Sequence, residues 1–206
     1  MKNPWEEISL EDYENHMRLD SVLQLQALNE MMKGQLEDYP ASKVMILGVA
    51  GGNGLEHIRR DRAEKVYGVD VNAAYLEAAA ARHPNLAGVL ECLRVDLREE
   101  PCRLPAAELV IANLLVEYIG CSCFQRLIGQ VGPEYASCVL QINAEDGWVS
   151  DSPYLHAFDV LEAVHHDLDG KVLEKTMLAI GYRVIQRTER GLPNGKKFLR
   201  MDFQRP

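Results

Sequence analysis

The chain has 206 residues, 47% of them hydrophobic and 26% charged, the length and balance of one globular domain with a sizeable core. Its formal net charge of −9 argues against an extended nucleic-acid footprint, which needs clustered Lys and Arg. No apolar run reaches the ~20 residues that a membrane-spanning helix requires, and Cys92, Cys102, Cys121, Cys123 and Cys138 lack metal-ligand spacing. With no apolar leader at the N-terminus, reduced thiols and a cytoplasmic location are the expectation.

In chain order, Leu25, Leu28, Met32 and Leu36 recur at spacings of three and four, the stripe of a helix face, and Tyr13 and Met17 continue it upstream. Pro40 marks the stop, so residues 1–40 are expected to form an N-terminal helical unit ahead of a main domain over 41–206. From Lys43 short apolar runs alternate with helical stretches. Strands are predicted over 44–49, 65–70, 89–95, 108–113 and 137–143, and helices over 55–61, 73–82, 124–131 and 156–179. Asn72 is placed to cap the second of these helices and His83-Pro84 to end it, while Gly132-Pro133 stops the third. Two final strands, 182–189 and 197–203, flank Leu192-Pro193-Asn194-Gly195, a hairpin signal because Asn-Gly tolerates positive φ.

Strands alternating with helices imply a doubly wound, mostly parallel sheet, and apolar runs without polar alternation suit strands buried on both faces. A parallel sheet closed by a C-terminal antiparallel hairpin gives seven strands and departs from the six-strand dinucleotide-binding arrangement.

The segment Gly48-Val49-Ala50-Gly51-Gly52-Asn53-Gly54 lies between a predicted strand and a predicted helix, where small residues let the backbone approach a ligand. Asp70 follows Gly48 by 22 positions, near the ~20 expected of an acid that receives ribose hydroxyls. Small residues at the first, third and sixth positions would suit a dinucleotide, but the sixth is Asn53. Gly48, Ala50 and Gly52 satisfy the first, third and fifth, a pattern that suits a ligand without a pyrophosphate.

Residues 44–57, together with 66–70, Asp96-Leu97 and the terminal hairpin, resemble the class I S-adenosylmethionine-dependent methyltransferases from about Lys43 to the C-terminus. The resemblance implies that S-adenosylmethionine is the cofactor and that the leading helical segment is a lid over it. Gly48, Ala50 and Gly52 would then line its methionine end, Asp70 would take the ribose hydroxyls, and Asp96 would accept from the adenine amino group beside Leu97. Asn113 would sit near the methyl group. The sequence departs from the family pattern in two places: Ile46 stands where many members carry an acid, and Ala50 stands for the middle glycine.

Methyl transfer by in-line displacement asks the protein mainly to position and desolvate the acceptor, with a base where a proton must leave. Candidates following strands four and five are Asn113, Glu117, Tyr118, Asn143, Glu145, Asp146, Trp148, Ser152, Tyr154 and His156, with His156 and then Glu117 preferred as base. Asn113 is followed by Leu114-Leu115, not by the Pro-Pro-Tyr of adenine-specific DNA methyltransferases; with the acidic charge, this points to a small-molecule acceptor. The alternatives are a non-catalytic cofactor-binding or regulatory domain of the same fold and a nicotinamide-dependent oxidoreductase.

Overall fold

The computed structural model describes residues 3–143 and 147–206; Glu145 and Asp146, two of the candidates above, lie outside the described residues. Seven strands form one sheet: β1 (Lys43–Leu47), β2 (Lys65–Asp70), β3 (Leu90–Arg94), β4 (Leu109–Asn113), β5 (Tyr135–Ile142), β6 (Arg183–Gly191) and β7 (Lys197–Gln204). Their order is β3-β2-β1-β4-β5-β7-β6. Neighbours from β3 to β5 pair parallel, whereas β7 runs antiparallel to both β5 and β6. The expected doubly wound sheet with its terminal hairpin is therefore what forms. β1, β4 and β5 are buried almost throughout, as their unbroken apolar runs require of strands covered on both faces.

Among the described residues six α-helices accompany the sheet: α1 (Leu10–Arg18), α2 (Gln24–Glu37), α3 (Ala73–Arg82), α4 (Val116–Ile119), α5 (Cys121–Val131) and α6 (Gly170–Leu178). Phe124, Leu127 and Ile128 of α5 and Leu173 and Met177 of α6 cover one face, against Met45, Leu47, Val110 and Ala112. On the other face Met32 of α2 and Leu76 and Ala79 of α3 pack on Val44, Ile46, Val66 and Ile111. Asn72 caps α3, its side chain accepting from the Ala74 and Tyr75 amides, and Gly132 ends α5 in the left-handed conformation at φ 63°.

Three local expectations need correction. No α-helix follows the glycine loop: a single 3-10 turn, Leu55–His57, replaces the predicted helix over 55–61. The space on that face is filled from the N-terminal segment, since a Cβ at Gly54 would meet the Met32 side chain of α2 at 2.6 Å. Downstream, Arg59 pairs with Asp61 at 2.6 Å, a spacing of two that helical geometry does not bring together. The predicted helix over 156–179 divides into a 3-10 helix, Leu155–Leu161, and α6, because Asp169 accepts from the Lys171 amide and starts a new helix. In the terminal hairpin only Gly195 of the Asn-Gly pair takes positive φ (79°), and Asn194 instead accepts from the Lys196 amide through its side chain in a five-residue loop.

The N-terminal forty residues are two structures in one. α2 belongs to the core: Gln35 is fully buried and exchanges amide hydrogen bonds with Asn113, both at 2.9 Å, while donating to Ser137 at 2.8 Å. That network continues through Asp202, Tyr39 and Arg200 to Asp38, fastening α2 to β7. α1 and the preceding 3-10 turn, Pro4–Glu6, reach instead towards the carboxyl ends of the strands.

Candidate functional site

β1, β2 and β4 all end at one rim of the sheet, the position where open α/β sheets bind ligands. A cavity opens there between the strand ends and the N-terminal segment. It is lined by Gly48, Ala50, Asp70, Asp96, Leu97 and Asn113, which brings together six of the seven residues expected at the cofactor. Gly52 does not line it: at φ 86° this glycine packs the far end of the loop on α3, and a Cβ there would crowd Leu55, His83 and Ala79 at 3.0–3.2 Å.

The turn after β1 is shaped by positive φ at Gly48 (70°) and Ala50 (47°). Asp70, nearly buried, receives the Ala50 amide on one carboxylate oxygen and the Asn72 amide on the other, each at 2.9 Å. Burial raises its carboxyl above the usual carboxylate range, although the amides of Asn72, Ala50 and Val71 oppose the shift. With about four acceptor sites on a carboxylate, these amides leave acceptor capacity facing the cavity. Asp96 accepts from the Asn3 side chain at 2.8 Å and from the Arg98 amide at 3.0 Å. Its burial acts to raise the carboxyl, but these bonds outweigh it and hold the group below its ordinary value. Asn113 lines the cavity while its amide is committed to Gln35.

The roof comes from the N-terminal segment. Trp5 and Tyr13 line the cavity beside Tyr75 and Tyr118, and the Trp5 carbonyl accepts from Asn72. α1 is clamped over the glycine loop by Arg82, which binds both Glu14 carboxylate oxygens and donates to the Gly51 carbonyl at 3.1 Å. Ile46 is buried between sheet and helices and contributes no charge to the cavity.

A second cavity of about 500 Å³ adjoins the first and shares Trp5, Tyr13, Leu114 and Tyr118 with it. Leu114, at their junction, holds φ 51°, an uncommon conformation for a γ-branched residue, and its amide donates to the Val139 carbonyl. Here lies Glu117, 3% exposed, on the short α4. One of its oxygens accepts the Gln141 amide at 2.7 Å, and Oε2 is buried without a partner. Burial pushes this carboxyl up to about 7. Trp148, Phe158, His16 and His165 complete an aromatic enclosure, with His165 stacked on Trp148 at 4.3 Å between ring centroids. Burial lowers both imidazoles, His16 to about 4.

His156, the preferred base from sequence, lines neither cavity; its side chain is 91% exposed and Nδ1 lies 3.2 Å from Asp159 Oδ2. Tyr154 packs in the cluster around Phe158. Ser152 sits 2.7 Å from His16 Nδ1 and Asn143 donates to Asp167. Trp5, Tyr13, His16, Gln141 and His165 were not assigned roles from sequence. The aromatic residues on α1 carried a helical stripe but no sign of which ligand face they would cover.

No protein-family model matches the chain, and no curated protein matches it in sequence. Solved structures do. The N-methyltransferase NodS from Bradyrhizobium japonicum, in complex with S-adenosyl-L-homocysteine, is similar with a TM-score of 0.66 at 13% identity, covering 94% of this chain and 96% of that one. Geranyl diphosphate C-methyltransferase from Streptomyces coelicolor matches with a TM-score of 0.66 at 11% identity over 88% and 80% of the two chains. The chain has the class I methyltransferase fold. That fold also accommodates other chemistry, for the [4+2]-cyclase SpnF is similar with a TM-score of 0.66 at 13% identity over 88% of this chain and 82% of its own.

Proposed function

We propose that the protein is an S-adenosylmethionine-dependent methyltransferase acting on a small molecule, with the cofactor in the first cavity and the acceptor in the second. The observation that carries this reading is the convergence of Gly48, Ala50, Asp70, Asp96 and Leu97 on one cavity at the carboxyl ends of the strands. NodS and the geranyl diphosphate enzyme, both described with S-adenosyl-L-homocysteine, support the cofactor assignment.

The donors and acceptors fit that group. Asp70 retains acceptor positions for the ribose hydroxyls, and Asp96, oriented by Asn3 and Arg98, can accept from an exocyclic amine. Leu97 and Tyr75 supply apolar walls, and Trp5 and Tyr13 exclude water from above. The bound sulfonium supplies an electrophilic methyl group, so the chain's own work is to hold, align and desolvate the acceptor. Glu117 is the residue best placed to receive a proton from that acceptor. The small-molecule assignment is supported by the aromatic lining of the second cavity and by the net charge of −9.

A second reading is favoured by the similarity to SpnF: a cofactor-binding protein whose second cavity promotes a reaction other than methyl transfer. Thermal unfolding with S-adenosylmethionine, S-adenosylhomocysteine and NADH in parallel tests the shared premise. Ligand at about 100 times Kd stabilises a fold by about 2.7 kcal/mol. A shift with the first two alone is expected; stabilisation by NADH alone would replace this reading with an oxidoreductase.

A further inference from the structure

We propose that the second cavity takes a protonated amine with an apolar or aromatic body, for which the Glu117 carboxylate is the counter-charge and proton acceptor. The inference rests on the methyltransferase reading only for what happens after binding.

Three observations converge on a cation. First, Glu117 is the one acidic residue among the described lining residues, and its Oε2 has no hydrogen-bond partner. Leaving a buried polar group unsatisfied costs about 1–3 kcal/mol, more when it is charged, so an orphaned carboxylate oxygen is a place where a ligand donor is missing. Among the described residues no cation is paired with Glu117 Oε2, and no Lys or Arg lines the cavity. Lys196, buried behind Trp148, donates to the Trp148 carbonyl at 2.5 Å, and His16 is engaged with Ser152 at 2.7 Å.

Second, the walls are π faces and edges. Trp5 meets Tyr118 edge-on at 4.9 Å, Tyr118 meets Trp148 at 6.2 Å, and Phe158 lies 4.7 Å from His16. Such an enclosure favours an ammonium group over a neutral hydroxyl through the ring quadrupoles, and its apolar area favours a hydrocarbon body. Third, the rest of the lining carries little charge to compete: burial holds the two imidazoles neutral at neutral pH. Glu117 itself, pushed up by burial, is only partly ionised until a cation arrives beside it. An alcohol would leave the carboxylate oxygen with a weaker partner, and a carboxylic acid would place like charges together.

The proton balance is simple. The ammonium nitrogen gives one proton to Glu117 Oε2, the N–H bonding pair stays on nitrogen, and a neutral amine faces a neutral carboxylic acid. That lone pair is what a methyl acceptor needs.

Trp148 lines this cavity alone whereas Trp5 lines both, so intrinsic fluorescence is read in Trp5→Phe, where Trp148 is the single emitter and reports occupancy of the second cavity. Titrations with 2-phenylethylamine and n-hexylamine, and with the matched 2-phenylethanol and 1-hexanol, test the assignment, each with and without saturating S-adenosylhomocysteine. The expected result is saturable quenching by at least one amine, tenfold or more tighter than by its alcohol, with the preference lost in Glu117→Gln and kept in Glu117→Asp. An alcohol that binds as tightly as its amine, no saturable response to either amine, or a preference that survives in Glu117→Gln overturns it. Amine discrimination without any response to S-adenosylhomocysteine would uphold the cavity assignment and sink the methyltransferase reading; S-adenosylhomocysteine binding without amine discrimination would do the reverse.

Discussion

Replacing Glu117 by Gln should change the pH dependence of stability in a direction and size that follow from its burial. The carboxyl moves from 4.5 to about 7 on folding because burial disfavours its charged form. The folded chain therefore binds the proton more tightly than the unfolded chain. Below about pH 4.5 both states are protonated and the group costs nothing. Between 4.5 and about 7 the unfolded chain releases the proton first, and stability falls as pH rises. One pKa unit is worth about 1.4 kcal/mol, so the full cost reaches about 3 kcal/mol and stays constant at higher pH.

Gln does not titrate, and whatever its amide costs in that site is independent of pH. Burial and the Glu117 charge hold the Tyr118 hydroxyl and the Cys138 thiol well above their ordinary values, outside the window, while His165 and Lys196, whose shifts do not come from Glu117, contribute equally to both proteins. Urea unfolding of the two proteins across roughly pH 4.5 to 8 should show the variant gaining about 3 kcal/mol on the native chain, a widening of roughly 6–12 °C in melting temperature for a chain of this size. A difference that stays flat across that window would mean that Glu117 is solvated or paired, and the reasoning about an orphaned carboxylate would fail.

Ala50 holds φ 47°. Left-handed backbone costs an alanine about 1–2 kcal/mol, and glycine brings an entropy cost of about 0.5–1 kcal/mol, so Ala50→Gly should stabilise the fold by roughly 0.5–1 kcal/mol in calorimetry. A loss of stability would show that the loop relaxes differently from its backbone here. Asp70→Asn places an amide where two backbone amides donate, and should cost about 1–3 kcal/mol without ligand. The same change should weaken S-adenosylhomocysteine binding about tenfold or more, equivalent to ~1.4 kcal/mol, by titration calorimetry; unchanged affinity would detach Asp70 from the ligand. Arg82→Ala removes the clamp between α1 and Gly51, so amide hydrogen exchange should rise in α1 by the ~1–3 kcal/mol of the lost charged bonds while β1 and β4 keep their protection. Equal loosening of the sheet would show that α1 is part of the core.

The sheet was legible in the sequence because its strands carry unbroken apolar runs and its turns carry Gly, Asn and Pro at the positions that need them. Asn72, Pro84 and Gly132 bounded their helices for local reasons that no tertiary contact had to override. The missing helix after the glycine loop was not legible. Residues 55–61 contain adequate helix formers, but α2 fills the face they would have covered, a competition decided by tertiary packing. Among site residues, Asp70, Asp96 and Asn113 could be read from their places at strand ends. Glu117 was visible as the single charge in the run Leu114 to Ile119, and its own burial beside Val116 is what makes it unusual. His156 misled because a histidine after strand five is chemically attractive while nothing in its own sequence says that it faces water. Trp5 and Asn3 were beyond local reading, since their partners, Tyr118 and Asp96, lie about a hundred residues away.

Whether the rim of the sheet holds the adenosyl cofactor is decided by a crystal structure grown with S-adenosylhomocysteine. The ribose is expected on Asp70, the adenine beside Leu97 with its amino group at Asp96, and the sulfur directed towards the Glu117 cavity. Density for the ligand elsewhere, or a rim still filled by Asn3, Trp5 and Tyr13 at saturating ligand, would contradict it.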